Sequence, residues 1–276
     1  MGAFEGKKGL ILGVANDHSI AWAIAKEIMS AGGVCGFTHL PDRPGDERKR
    51  NRHRVAKLTD AEENAKFLTP LDVTDDANIA AVMQQTAQEF GKIDFLLHSV
   101  AFASIDDLKG DTVATSRDGF KMAMEISAYS LLAVAHAAAE IMSDKSSILA
   151  MTYYDGEKIV PRYNVMGICK AALDSCMKYA AYDLGPRGIR VNALSAGPLR
   201  TLAGRGAGVD DMLGFYEVMA PLGRNITHDE VAKTGAFLLS DAASGTTAEI
   251  MHVDAGYNAM GSPGRLLEKF FDLGLR

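Results

Sequence analysis

The chain has 276 residues, 47% of them hydrophobic and 23% charged, with a formal net charge of −6. A chain of this length removes roughly three quarters of its unfolded surface from water and needs no covalent staples. The acidic balance argues against a general nucleic-acid or membrane-surface binder, and the three cysteines, Cys35, Cys169 and Cys176, have neither disulfide-framework nor zinc-site spacing. They are expected to be reduced, buried thiols in a cytoplasmic protein.

Residues 8–14, KGLILGV, form an apolar run far too short for a signal peptide or a membrane span, and read as a first strand. A helical pattern follows over 19–33, then strands over 34–40 and 67–73, a helix over 77–91 and a strand over 93–101. The second half continues with a helical 120–142, strand 146–154, helix 164–185, strand 189–197, helix 230–241 and strand 249–256. This alternation predicts an α/β fold: a single-domain Rossmann-like, doubly wound parallel sheet with helices on both faces. No linker or repeat interrupts it, so residues 1–276 are expected to form one dinucleotide-binding domain, with a C-terminal tail from about 261.

In such a sheet, ligands sit outside the carboxyl ends of the strands, where strand order reverses. The first strand ends at Gly13 and runs through Ser19 into a helix whose apolar face includes Ile20, Ile24 and Ile28. Gly13 suits a close backbone approach to a diphosphate, and Ser19 suits a helix cap beside an anion site. The spacing is not G-x-G-x-x-G, and a capped turn without ligand would look the same. Asp72-Val73 closes the third strand, where the carboxylate could accept from an adenine amine or serve as the N-cap of the next helix. His98-Ser99-Val100 closes the fourth, and His98 reads best as a satisfied core histidine.

The segment TYYDGEKIVPRYNVMGICK, 152–170, holds three of the eight tyrosines. Tyr163 and Lys170 are seven residues apart and would share one helix face, their Cα atoms about 10 Å apart along the axis, with Lys170 leaning back toward Tyr163. A phenol beside an ammonium can donate to an oxygen gaining negative charge, and the charge should lower the phenol pKa. Pro161 places the helix start near Tyr163, and Tyr153 can face the same crevice from the strand side. Tyrosines packing with their hydroxyls in water would explain the spacing equally well.

These motifs resemble the enoyl-acyl-carrier-protein reductases of bacterial type II fatty acid synthesis, a divergent branch of the short-chain dehydrogenase/reductase superfamily. Ordinary superfamily members carry Tyr-x3-Lys, whereas residue 167 is glycine here. The reductase branch has Tyr-x6-Lys with a second tyrosine ten residues earlier, as in Tyr153, Tyr163 and Lys170. Gly13 with Ser19-Ile20-Ala21, Asp72-Val73, His98-Ser99, RVNALSAGPLRTLA at 190–203 and HVDAG at 252–256 complete the resemblance, which runs from residue 4 to about 260.

The resemblance implies hydride transfer from NADH, with NADPH as the alternative, to the β-carbon of a trans-2-enoyl thioester carried on acyl carrier protein. Tyr163 would donate to the enolate oxygen, Lys170 would hold the nicotinamide ribose, and Tyr153 would line the acyl site. Ala103 would be a backbone contact to substrate. Leu199, Arg200, Thr201, Leu202 and Ala203 would cover the cofactor, which Gly13, Ser19, Ile20, Leu40, Asp72, Val73, Ser99 and Val100 would also line. The resemblance further implies a homotetramer, with Arg200 or Arg205 as docking residues for the acidic carrier, and no metal.

Several residues depart from the family pattern. Leu40 stands where a polar or basic residue is common. Asp42 after it would favour free ribose hydroxyls, while one of Arg43, Arg48, Lys49, Arg50, Arg52, Arg54 and Lys57 could accept a 2′-phosphate; most of these read as a solvated helix face. Ala101 and Ala255 replace common glycines, and Tyr154-Asp155 is expected to bear on acyl-length preference or inhibitor fit. Residues 203–215 are glycine-rich and read as a lid. Beyond Gly261, Leu266, Leu267, Phe270, Phe271 and Leu273 form an apolar stripe expected to pack on the fold or on a neighbouring subunit. The rival readings are a carbonyl-reducing relative and a non-catalytic dinucleotide sensor.

Overall fold

The structure is a computed structural model and describes residues 2–202 and 209–273, apart from the side chain of Asp211. Seven strands, β1 (Lys8–Leu12), β2 (Val34–His39), β3 (Ala65–Pro70), β4 (Ile93–His98), β5 (Met142–Thr152), β6 (Arg190–Ala196) and β7 (Ile250–Val253), form one sheet in the order β3-β2-β1-β4-β5-β6-β7. Every neighbouring pair is parallel. Their sequences are continuous apolar runs because both faces are covered: Leu10, Ile11 and Leu12, on opposite faces in turn, are all fully buried. Pro70, which cannot donate to a ladder, lies in the edge strand β3.

One face packs Ile11, Phe37, Phe95, Leu149 and Leu194 against Ile24 and Ile28 of helix α1 (Ile20–Ser30) and Val231 of the helix His228–Leu239. Gly235 lets these two helices approach, since a Cβ there would sit 2.6 Å from Ile24. The opposite face packs Leu12, Leu96, Ile148 and Val191 against α3 (Asp76–Phe90), α6 (Ser130–Ala139) and α7 (Val165–Leu184). After the short α4 (Ile105–Leu108), the apolar run expected as one helix over 120–142 divides into α5 (Arg117–Met124), a π-helical turn Glu125–Tyr129, and α6, with Met142 already in β5. Helix α2 (Arg50–Thr59) buries only Val55, Ala56 and Thr59, so its basic residues do form a solvated face.

The tail forms a helix, Arg265–Asp272. Its apolar stripe does not find cover on its own fold: Leu267, Phe270 and Phe271 remain exposed. Asp75, rather than Asp72, caps α3, accepting from the amides of Ala77 and Asn78 at 2.9 and 3.2 Å. Replacing Asp75 by alanine should cost about 1 kcal/mol, read as a lower urea midpoint with unchanged cooperativity; Asp72→Ala should leave α3 capped and move the midpoint less.

Candidate active site

The strand order reverses between β1 and β4, and their carboxyl ends open the crevice expected of this architecture. Gly13 turns the chain there with φ 93°, and a Cβ on it would overlap the Ser99 carbonyl. The Ser99 amide in turn donates to the Leu12 carbonyl at 3.2 Å. Ser19 does not cap α1 as expected. Its hydroxyl accepts from the amides of Ala15 and Asn16 at 3.0 and 3.1 Å, which staples the loop and leaves the amino end of α1, beginning at Ile20, without a side-chain acceptor. That end suits the diphosphate of a dinucleotide.

The next strand ends line the same side of the sheet. Leu40, after β2, is 67% exposed. Asp42 uses one carboxylate oxygen, Oδ1, on the amides of Asn51 and Arg52 at the start of α2. Asp72 uses one carboxylate oxygen on the Thr74 amide and hydroxyl at 2.9 and 2.7 Å. It is followed by buried Val73. After β4, Ser99 and Val100 are half-buried, and Ser127 of the π-turn clamps the loop by accepting from the Phe102 amide and donating to its carbonyl. Ala103 then packs with Ala123, Val165, Met166 and Cys169 in a cluster that Tyr163 joins. His98 is buried, bonded through Nε2 to Ser130 at 2.9 Å, with its pKa pushed down to about 3 by burial and by the Lys170 charge. It is a core histidine, but not the fully satisfied one expected, since its Nδ1 is buried without a hydrogen-bond partner among the described residues.

Tyr153, at the end of β5, places its ring 4.8 Å from that of Tyr163. Lys170 is buried in α7 and donates to the Met151 carbonyl at 2.8 Å. The shared-face argument needs correction: α7 begins at Val165, and Tyr163 lies ahead of it between Arg162 (φ 72°) and Asn164 (φ 45°). Two left-handed non-glycine residues flanking a half-buried tyrosine are a local strain of the kind held at working sites. The direction of the phenol pKa also reverses. Burial, then the charge of Asp155, pushes Tyr163 above the ordinary phenol range, so the hydroxyl keeps its proton and is a donor at neutral pH.

Three contributors escaped sequence reasoning. Tyr216, in the helix Val209–Met219, is buried, shares a 2.9 Å hydroxyl contact with Tyr153, and stacks on Tyr257 at 3.7 Å. The expected lid over 203–215 is thus helical from Val209, while residues 203–208, with the expected contacts Ala203 and Arg205, lie outside the described residues. Ser127 gave no signal beyond a hydroxyl in an apolar helix. Asp155 was visible as an oddity, yet its burial was not: it is 8% exposed, its carboxylate is unpartnered among the described residues, and its pKa is pushed up to about 7, chiefly by burial.

Of the remaining expected contacts, Leu199 is buried and Leu202 exposed, and the Thr201 amide donates to the Leu199 carbonyl at 2.7 Å. Arg200 is engaged with Asp210 at 2.8 Å. Ala255, at a position the family resemblance would fill with glycine, carries φ 58°, the backbone conformation that glycine adopts most readily.

An unfolded aspartate titrates near about 4, so folding tightens the Asp155 proton. The stability this contributes is present below about pH 4 and is lost as pH rises through about 7. Asp155→Asn should therefore exceed wild type in stability above pH 7 by up to about 4 kcal/mol, with the gap closing toward pH 4 in urea titrations. Tyr216→Phe removes the partner of the buried Tyr153 hydroxyl and should cost about 1 kcal/mol, read as a lower urea midpoint.

Comparison with known proteins places this geometry in a family. Residues 13–258 match the family model described as enoyl-(acyl carrier protein) reductase. The NADH-type enoyl-[acyl-carrier-protein] reductase of Bacillus cereus is 45% identical over 262 residues, covering 95% of this chain and 100% of the relative. One from Rhizobium meliloti is 47% identical, covering 94% and 93%. The crystal structure of the Bacillus cereus reductase with NADP+ and indole naphthyridinone superposes with a TM-score of 0.89 at 45% identity, covering 95% of this chain and 100% of that one. The Anaplasma phagocytophilum reductase with NAD gives 0.87 at 42% identity, covering 95% of each chain. With Tyr153, Tyr163 and Lys170 gathered at the carboxyl end of a parallel sheet and the match spanning nearly its whole length, the chain belongs to the enoyl-acyl-carrier-protein reductase family.

Proposed function

We propose that the chain reduces the carbon–carbon double bond of a trans-2-enoyl thioester on acyl carrier protein, using NADH, in fatty acid elongation. The observation that carries this reading is the Tyr163 ring packed 4.8 Å from that of Tyr153 just after β5, with a buried lysine of α7 bonded to the Met151 carbonyl at the end of the same strand. The reduced dinucleotide supplies a hydride when bound. Gly13, Ile20 and the loop Ser99–Val100 hold its diphosphate side, and Ser19 keeps the loop in shape. Asp72 has a second carboxylate oxygen for the adenine amine. Leu199, Arg200, Thr201 and Leu202 cover the nicotinamide side.

Reduction at the β-carbon sends charge to the thioester oxygen. Tyr163 donates to that oxygen, and such a donor is typically worth about 3 kcal/mol of barrier. Lys170 spends one donor on Met151, and its remaining N–H groups serve the nicotinamide ribose hydroxyls. Tyr153, steadied by Tyr216, lines the acyl site opposite Ala103. The whole of 1–276 acts as one reductase domain, with the tail from about 261.

The finer parts of the reading are a cytoplasmic homotetramer. Ile168, Tyr179 and Tyr182 on α7 and Phe270 and Phe271 on the tail helix are exposed apolar or aromatic side chains, which supports burial between subunits. Arg43 and Arg52 line, together with Asp42, a cleft of about 540 Å³ at the end of β2, so NADPH is the alternative donor.

With a trans-2-enoyl thioester, NADH absorbance should fall, faster than NADPH absorbance at equal concentration, and Tyr163→Phe should slow turnover about a hundredfold. A 3-oxoacyl thioester should not be consumed. Its consumption in place of the enoyl thioester would point to the carbonyl-reducing alternative, and binding of NADH without turnover to the sensor.

A further inference from the structure

Asp155 is a buried charge to which the reduction scheme gives no part. It lies on the turn Tyr154–Gly156 directly after β5, and neither carboxylate oxygen has a hydrogen-bond partner among the described residues. Burying such a group without partners costs stability.

Its surroundings come from several elements. Helix α7 contributes Lys170, Cys169 and Asp174; Tyr163 lies ahead of that helix; Tyr153 closes β5. His98 of β4 also feels the Lys170 charge. Gly167 makes the arrangement possible. A Cβ at 167 would lie 3.2 Å from the Asp155 carbonyl oxygen and 3.3 Å from its Oδ2, tighter than side chains ordinarily pack. Residue 167 is where a Tyr-x3-Lys pattern would put its lysine, so a carboxylate leans on the position that the lysine has left, one turn before Lys170.

We propose that Asp155 is a positioning residue for the reduction: its buried carboxylate, on a turn packed against α7 at Gly167 and Lys170, is the counter-charge that keeps Lys170 donating to the cofactor ribose. This rests on the reductase reading for the identity of the ribose ligand. Burial alone would drive Lys170 toward the neutral amine; Asp155 and then Asp174 oppose that. Above about pH 7 the Asp155 carboxyl is ionised and supplies the counter-charge. The same negative charge raises Tyr163 and so keeps the phenol a donor.

The test measures NADH affinity without substrate, by cofactor fluorescence from pH 6 to pH 10, alongside the pH profile of kcat/KM, for wild type, Asp155→Asn and Asp155→Ser. Both variants should match wild type within about twofold below pH 7 and lose affinity at a pH lower than wild type does, the alkaline limb moving down by on the order of one unit. Superimposable limbs, equal losses at every pH, or no NADH binding by wild type would overturn the inference. A shifted binding limb in a wild-type protein that does not reduce enoyl thioesters would uphold the role of Asp155 and remove the reductase reading alone.

Discussion

An ammonium taken out of water is the constraint around which this site is organised. Lys170 is buried in α7 and bonded to the Met151 carbonyl. Keeping its charge requires acceptors and counter-charges that an apolar α/β core does not otherwise hold. The end of β5 supplies them together: Met151 offers a carbonyl, Tyr153 a ring against Tyr163, and Asp155 a carboxylate. β5 is central in the sheet, flanked by β4 and β6, so its ladders fix Met151, and Tyr153 and Asp155 follow within three residues of its last paired position, Asp155 on a tight turn packed against α7. Chemistry that needs a proton donor and a ribose anchor in fixed relation gains from that rigidity.

The architecture was legible because a doubly covered parallel sheet writes itself as apolar runs separated by helical periods. All seven strands and the helices corresponding to α1, α3, α7 and His228–Leu239 follow that pattern. Elements without an apolar period were harder to read. Helix α2 is mostly charged and buries little, and Val209–Met219 was obscured by the glycines before it. The continuous apolar run over 120–142 conceals a π-turn, since a widened turn leaves composition unchanged; that turn carries Ser127 to the loop after β4.

The site was legible as a set of residue types and not as a set of charges. Tyr153 and Tyr163 do meet, but through a strained approach ahead of α7 and not through helical periodicity. The expected lowering of the phenol pKa assumed an ammonium acting through water. Enclosure reverses the sign, because desolvation disfavours the ionised phenol and the Asp155 carboxylate adds a negative charge that opposes it further. Ser19, Asp42 and Asp72 illustrate a related limit: each has the right side chain, yet which backbone amide it serves depends on turns of a few residues. Tyr216 reaches Tyr153 from 63 positions away, a separation that no local pattern reports.

The central claim is that the chain adds hydrogen across a carbon–carbon double bond next to a thioester, with hydride arriving at the β-carbon. Mass spectrometry of the acyl product most directly tests it, with a trans-2-enoyl thioester reduced once by deuterated NADH in ordinary water and once by ordinary NADH in deuterated water. The account predicts a saturated acyl chain carrying one deuterium at the β-carbon in the first case and one at the α-carbon in the second. Unreduced substrate, or deuterium from the dinucleotide appearing on the former thioester carbonyl carbon with the double bond kept, would contradict it.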